Sequence, residues 1–235
     1  YANPETVEQG RSKNSLGYGD NPCGSLHARL ELKAGETKEF LIIVGVGKAD
    51  EVGKRIVTAH RDISLAGREL EAVKAHWHQK LAAFAAHTPD PQLNSTINMW
   101  GAYNNLITFT WSRAVSLIYS GIDRDGMGYR DTVQDLVGVA QLIPEQVRDT
   151  LELMITGQVS TGGALPVVLP TSHQPGKLQA PPEHAYRSDD CLWLFNAVPA
   201  YIKETGDIGF YQKVLPYADQ GEDTVFGHLK RAIEF

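Results

Sequence analysis

His87-Thr88-Pro89-Asp90-Pro91 marks the point at which one kind of sequence gives way to another. Asp90 followed by Pro91 is a favourable cap and first-turn pair, because an Asp side chain accepts the free amide hydrogens of a new helix and Pro donates none there. Upstream, Leu65, Leu70, Val73, Trp77, Leu81 and Phe84 recur at three-to-five-residue steps, as on one face of a linker helix. Further upstream the period is two: Leu26, Leu30 and Leu32 alternate, Lys33-Ala34-Gly35-Glu36 is a turn, and Phe40 to Val46 is a buried strand. Downstream, only helices and loops are expected, with helices over roughly 91–119, 131–142, 144–157, 189–205 and 208–235. Pro144 opens one of these helices and Gly206 closes another. The chain therefore divides into the end of a β-sandwich over 1–48, a helical linker over 49–89, and a toroid-like set of helical hairpins over 90–235.

The 235 residues, 42% hydrophobic, suffice for a buried core. A net charge of -6 and 22 scattered Lys and Arg form no basic stripe, which argues against a nucleic-acid partner. No apolar run approaches the roughly 20 residues of a membrane span. Cys23 and Cys191 are too few and too far apart for a disulfide framework, so a cytoplasmic setting is expected. Tyr1 and the amphipathic 227–235 segment carry no start or stop signal, and more sequence is expected beyond both.

Two clusters carry chemistry. Arg124-Asp125-Gly126-Met127-Gly128-Tyr129-Arg130-Asp131, with Gln134 and Asp135 after it, crowds two arginines and three carboxylates around a glycine-bent turn and a helix start. Sugar hydroxyls, each both donor and acceptor, are held well by such charged groups. A surface loop of ion pairs, with Asp131 capping a helix, explains the same composition. In the second cluster, Tyr186-Arg187-Ser188-Asp189-Asp190-Cys191-Leu192-Trp193, adjacent carboxylates run into an apolar segment. A carboxyl at the mouth of an apolar pocket gains proton affinity by desolvation, as a general acid requires. The plainer alternative makes Ser188 or Asp189 a helix cap.

The order and spacing of these clusters, after a β segment and a linker helix, resemble glycoside hydrolase family 94: the cellobiose and chitobiose phosphorylases and the phosphorylase-like part of cyclic β-1,2-glucan synthases. The resemblance spans nearly the whole chain. It implies the end of an N-terminal β-sandwich, a helical linker and the first part of an (α/α)6 barrel. It also implies that Asp189 protonates the glycosidic oxygen, and that Arg124, Arg130 and Asp131 hold the nonreducing sugar. Arg187 and Asp190 complete the expected substrate-binding set. Inorganic phosphate, itself an anionic nucleophile, replaces the base-activated water of a hydrolase, so one acid suffices. Attack from the far face converts a β-linked sugar to an α-sugar 1-phosphate. The implied partners are a β-linked oligosaccharide, phosphate and a second copy of the chain, with no other cofactor and no metal.

One position departs from the pattern. The family typically has Trp two residues before the acid, where this chain has Arg187; a guanidinium there suits a hydroxyl, the incoming phosphate or a carboxylated sugar. The family's phosphate-binding motifs fall later than Phe235, so the 235 residues alone are expected to be inactive. A loop at Gly17-Tyr18-Gly19-Asp20-Asn21-Pro22 is a candidate to reach a neighbouring subunit. His76 and His78 suit linker packing better than metal binding, and Gly162-Gly163 is either a plain turn or a close approach to ligand. Trp100, Tyr103, Phe109 and Trp111 are expected in the core. A hydrolase on the same helical toroid would cleave without phosphate, and a non-catalytic sugar-binding module would tolerate loss of Asp189.

Overall fold

The computed structural model describes residues 5–11, 15, 26–45, 48–112, 126–170, 172–178 and 186–235, in two compact units, Tyr1–Leu70 and Glu71–Phe235. Cys23, the 17–22 loop, Arg124 and residues 113–119 of the first long helix lie outside the described residues.

In the first unit the expected turn forms, with the Glu36 amide donating to the Lys33 carbonyl at 3.0 Å. The flanking segments differ from expectation, since neither 26–32 nor the described part of 40–46 forms a strand. A strand needs a ladder partner and a covered face; among the described residues these segments have no ladder, and Leu26, Phe40, Ile42 and Val44 are exposed. Helix α1 spans Lys54–Ala59, and α2 spans Ile63–Leu81, across the boundary after Leu70.

In the second unit, α3 (Pro91–Ser95) starts at Asp90, whose carboxylate accepts from the Gln92 and Leu93 amides at 2.8 and 3.2 Å. The rod continues through a π-helical turn, Thr96–Gly101, into α4 (Ala102–Ile107) and a second π-helical turn, Thr108–Ser112. Each wide turn shifts the side-chain register. Ala102 and Leu106 consequently face the core, while Trp100 and Tyr103 are exposed and Phe109 is half-buried, which corrects the aromatic core expected from α-helical spacing alone.

Helices α5 (Tyr129–Val139), α6 (Pro144–Ile155) and α7 (Leu194–Thr205) supply the centre of the core. Tyr129, Val133 and Leu136, then Val147, Leu151 and Met154, then Leu194 and Val198 are wholly buried at three-to-four-residue intervals. Pro144 occupies the first turn of α6, and the Gly206 amide closes α7 on Ile202. The single helix expected over 208–235 is instead a 3-10 turn (Ile208–Gln212), an antiparallel hairpin of β3 (Val214–Pro216) and β4 (Glu222–Thr224), and α8 (Val225–Glu234). Pro216 lacks the amide hydrogen a helix would need there. The buried ring of His228 ties α8 back to the rest, between the Gln158 side-chain oxygen at 2.7 Å and the Leu215 carbonyl at 2.9 Å. Among the described residues, no helix is long and apolar enough to cross a membrane.

Candidate functional site

The two sequence clusters meet through two buried neighbours. Tyr129, fully buried at the start of α5, receives the Cys191 thiol on its hydroxyl at 3.8 Å. Residues 130–131 and 189–190 flank these two anchors in the chain, so the buried contact brings together side chains 59 residues apart. Backbone pairing supports the α5 side. Strand β1 (Met127–Gly128) pairs antiparallel with β2 (Val167–Val168), and the Tyr129 amide donates to the Pro166 carbonyl at 3.2 Å. Gly126 is required there, because its φ is +121° and a Cβ would stand 2.5 Å from the Val167 side chain. Gly128, the second glycine of that bend, has an ordinary φ of -57° and room for a Cβ.

At the surface of this junction the Arg130 guanidinium donates to the Asp189 carboxylate at 3.2 Å and stands 3.9 Å from Asp131. Asp131 lies in the first turn of α5, but Gly128 is the capping residue, so Asp131 is not the cap. Nor does Ser188 or Asp189 cap: the 3-10 turn Cys191–Trp193 follows Asp190 with no side-chain cap hydrogen bond. The Trp193 indole N–H instead reaches Asp189 at 3.4 Å. That four-residue spacing along a helical turn is the sequence signal for the contact.

Desolvation acts on the neighbour of the expected acid. The Asp189 side chain is 43% exposed, and the Arg130 hydrogen bond holds its carboxyl below the usual carboxylate range, with burial opposing and Trp193 assisting. Asp190 is sealed from solvent, neither oxygen has a hydrogen-bond partner, and burial pushes its carboxyl up to about 6. Arg187 is exposed, with its guanidinium 4.0 Å from Asp190. Burial pushes the Cys191 thiol up to about 12, so it stays protonated and is no nucleophile.

Gly163 approaches the residue before Arg187: a Cβ there would lie 2.8 Å from the Tyr186 ring, so this backbone is packed against protein. His76 and His78 are exposed, and among the described residues no group of three His, Cys, Asp or Glu could hold a metal.

Comparisons with known proteins identify the family. Residues 1–63 match the family model of the glycosyl hydrolase 94 supersandwich domain, and residues 76–235 match that of the glycosyl hydrolase 94 superfamily catalytic domain. The N,N'-diacetylchitobiose phosphorylase of Vibrio proteolyticus is 36% identical across all of this chain, which covers 31% of that protein. The solabiose phosphorylase of Paenibacillus borealis is 28% identical over 99% of the chain and 28% of its own length. The cyclic beta-(1,2)-glucan synthase of Rhizobium meliloti is 24% identical over 91% of the chain, which covers 7% of that protein. The chain thus spans less than a third of the length of these relatives. With a supersandwich segment followed by a largely helical catalytic segment, it belongs to the glycosyl hydrolase 94 superfamily.

Proposed function

We propose that the protein to which this chain belongs is an inverting phosphorylase, cleaving a β-linked gluco-configured di- or oligosaccharide with inorganic phosphate to an α-sugar 1-phosphate and a shortened sugar. The observation that carries the reading is the junction of the two clusters: a half-exposed Asp189 carboxylate bound to Arg130, beside Asp131, on a packed helical base. The relatives, an N,N'-diacetylchitobiose phosphorylase and a solabiose phosphorylase, support a phosphate-dependent reaction on disaccharides.

In this reading Asp189 is the acid. Its proton passes to the bridging oxygen as that oxygen leaves the anomeric carbon, while phosphate attacks from the opposite face. Arg130, Asp131 and Arg124 hold the hydroxyls of the nonreducing sugar through charge-assisted hydrogen bonds, fixing the anomeric carbon in line with the acid. Arg187 faces the substrate as a cation, and Asp190 backs it from within. The boundaries 1–48, 49–89 and 90–235, the (α/α)6 barrel, a homodimer and a cytoplasmic setting belong to the same proposal.

The test is to incubate the full-length protein with a panel of β-linked disaccharides, with and without phosphate, and to determine the anomer of any sugar 1-phosphate. Phosphate-dependent release of the α-anomer supports the reading. Equal cleavage without phosphate would replace it with a hydrolase, and binding without cleavage would replace it with a sugar-binding module.

A further inference from the structure

On the buried face of α8 the ring of His228 meets two acceptors. Its Nδ1 lies 2.7 Å from the Gln158 side-chain oxygen and its Nε2 lies 2.9 Å from the Leu215 carbonyl, with His228 and Gln158 both sealed from solvent. The Gln158 amide is oriented by its own partners, because its Nε2 donates to the Gly162 and His228 carbonyls at 3.1 and 3.2 Å. Turned over, the amide would set its oxygen against those two carbonyl oxygens. A neutral imidazole has one N–H and serves only one of its two acceptors; an imidazolium has two and serves both. A bare ring nitrogen and a carbonyl oxygen repel, so an uncharged ring would open one of the two contacts, and both are short.

The surroundings favour the charge. The Tyr217 ring, in the turn between β3 and β4, lies 4.2 Å from the imidazole, close enough for its π electrons to attract a cation. Asp223 of β4 fits against the first turn of α8 because Gly227 has no side chain: a Cβ there would fall 2.0 Å from the Asp223 carboxylate. The other titratable groups nearby are paired or neutral. Asp219 accepts from the Ser160 amide and hydroxyl, Arg231 of α8 pairs with Glu234, and burial keeps the Cys191 thiol protonated. Burial also pulls the His228 imidazole below its ordinary value, opposed by the Leu215 carbonyl and the Asp223 charge. The Gln158 oxygen, at the shorter of the two ring contacts, is a second acceptor against that pull.

We infer that His228 carries both ring protons while α8 is docked, so that α8, the β3–β4 hairpin and the 158–162 loop form a latch closed by one proton. Loss of that proton leaves a buried carbonyl facing a lone pair, and α8 loosens as pH rises. The two acceptors, Tyr217 and Asp223 together outweigh burial and hold the folded ring above its unfolded value of about 6.5. The stabilisation is therefore complete below that value and is lost as pH climbs through the raised one. From Gln158 the loop runs to Pro166, whose carbonyl receives the Tyr129 amide, so the latch adjoins the backing of α5. It does not depend on which side chain is the acid.

The experiment uses the full-length protein. Hydrogen–deuterium exchange read by mass spectrometry, corrected for the intrinsic pH dependence of amide exchange, follows peptides within 225–235 from pH 5.5 to 9. The expected protection is level up to about pH 6.5 and falls roughly tenfold or more above it, tenfold corresponding to one unit of raised proton affinity. Asp223→Asn should move the midpoint of that fall to lower pH by about one unit, and His228→Gln should be level throughout.

Level protection in the wild type overturns the inference, as does protection that falls towards acid, the behaviour of a ring buried neutral. A fall that persists in His228→Gln, or an unmoved midpoint in Asp223→Asn, overturns it too. If His228→Gln does not fold, the wild type and Asp223→Asn profiles decide, since a purely structural Asp223 would lower protection equally at every pH.

Discussion

Two clusters of charge in the second unit obey different rules. On α6 and α7, Arg148 is bound to Glu152 at 3.1 Å and lies 3.6 Å from Asp207. Lys213 also pairs with Glu152, and the Tyr201 hydroxyl donates to Asp207 at 3.0 Å. Arg148, Glu152, Tyr201 and Lys213 line a cavity of about 460 Å³, and the three charged ones among them are paired with opposite charges. At the Tyr129–Cys191 junction, by contrast, Arg130 stands against two carboxylates, Asp190 has no hydrogen bond, and Arg187 is spread into solvent. A satisfied network fixes structure, whereas an unsatisfied one keeps electrostatic energy available for a ligand to redistribute.

Substitution separates the two. Asp189→Asn should remove about 10²- to 10⁴-fold of phosphorolysis in the full-length enzyme, the usual worth of a positioned acid, while leaving the melting temperature close to that of the wild type. Sugar 1-phosphate release and differential scanning calorimetry check the two halves.

Asp190 should dominate pH sensitivity. Its folded-state pKa of about 6 lies above the unfolded value near 3.9, so its stabilising contribution is complete below about pH 4 and is lost as pH rises through 6. The difference between the wild type and Asp190→Asn, followed by denaturant titration from pH 4 to 8, should change by on the order of 2 kcal/mol in that direction. A flat difference would remove the case for a strained carboxyl. Arg187→Trp should alter the ratio of kcat/KM values among neutral and carboxylated acceptor sugars by about tenfold; an unchanged profile would deny Arg187 a selectivity role. The smallest effect belongs to the matched cluster. Arg148→Gln should cost about 1 kcal/mol in denaturant unfolding and leave kcat unchanged.

What was legible in the sequence was local. Asp90 and Pro91, Pro144 and Gly206 mark helix ends through chemistry contained within a few residues, and each marks an end in the structure. In the 208–235 segment the helical period of Val225, Leu229 and Ala232 belongs to α8 alone, and Pro216 and the hairpin precede it. The π-helical turns defeated the aromatic spacing at Trp100 and Tyr103, since a register shift leaves no composition signal. Residues 26–32 alternate and 40–46 are a run rich in branched apolar residues, as strands are, but a ladder is a property of two segments. At the site, family resemblance singled out Arg130 and Asp189, but it could not say that they touch. The different fates of Asp189 and Asp190 were invisible, because neighbouring residues of one type differ only in which of them the fold covers.

The contact between Tyr129 and Cys191 has a practical corollary. Thiol-directed reagents attack the thiolate, and at neutral pH this sulfur is both protonated and covered. Alkylation at Cys191, read by mass spectrometry of its peptide, therefore times the opening of the interface that aligns Arg130 with Asp189. A saturating sugar that braces this junction should slow the labelling clock.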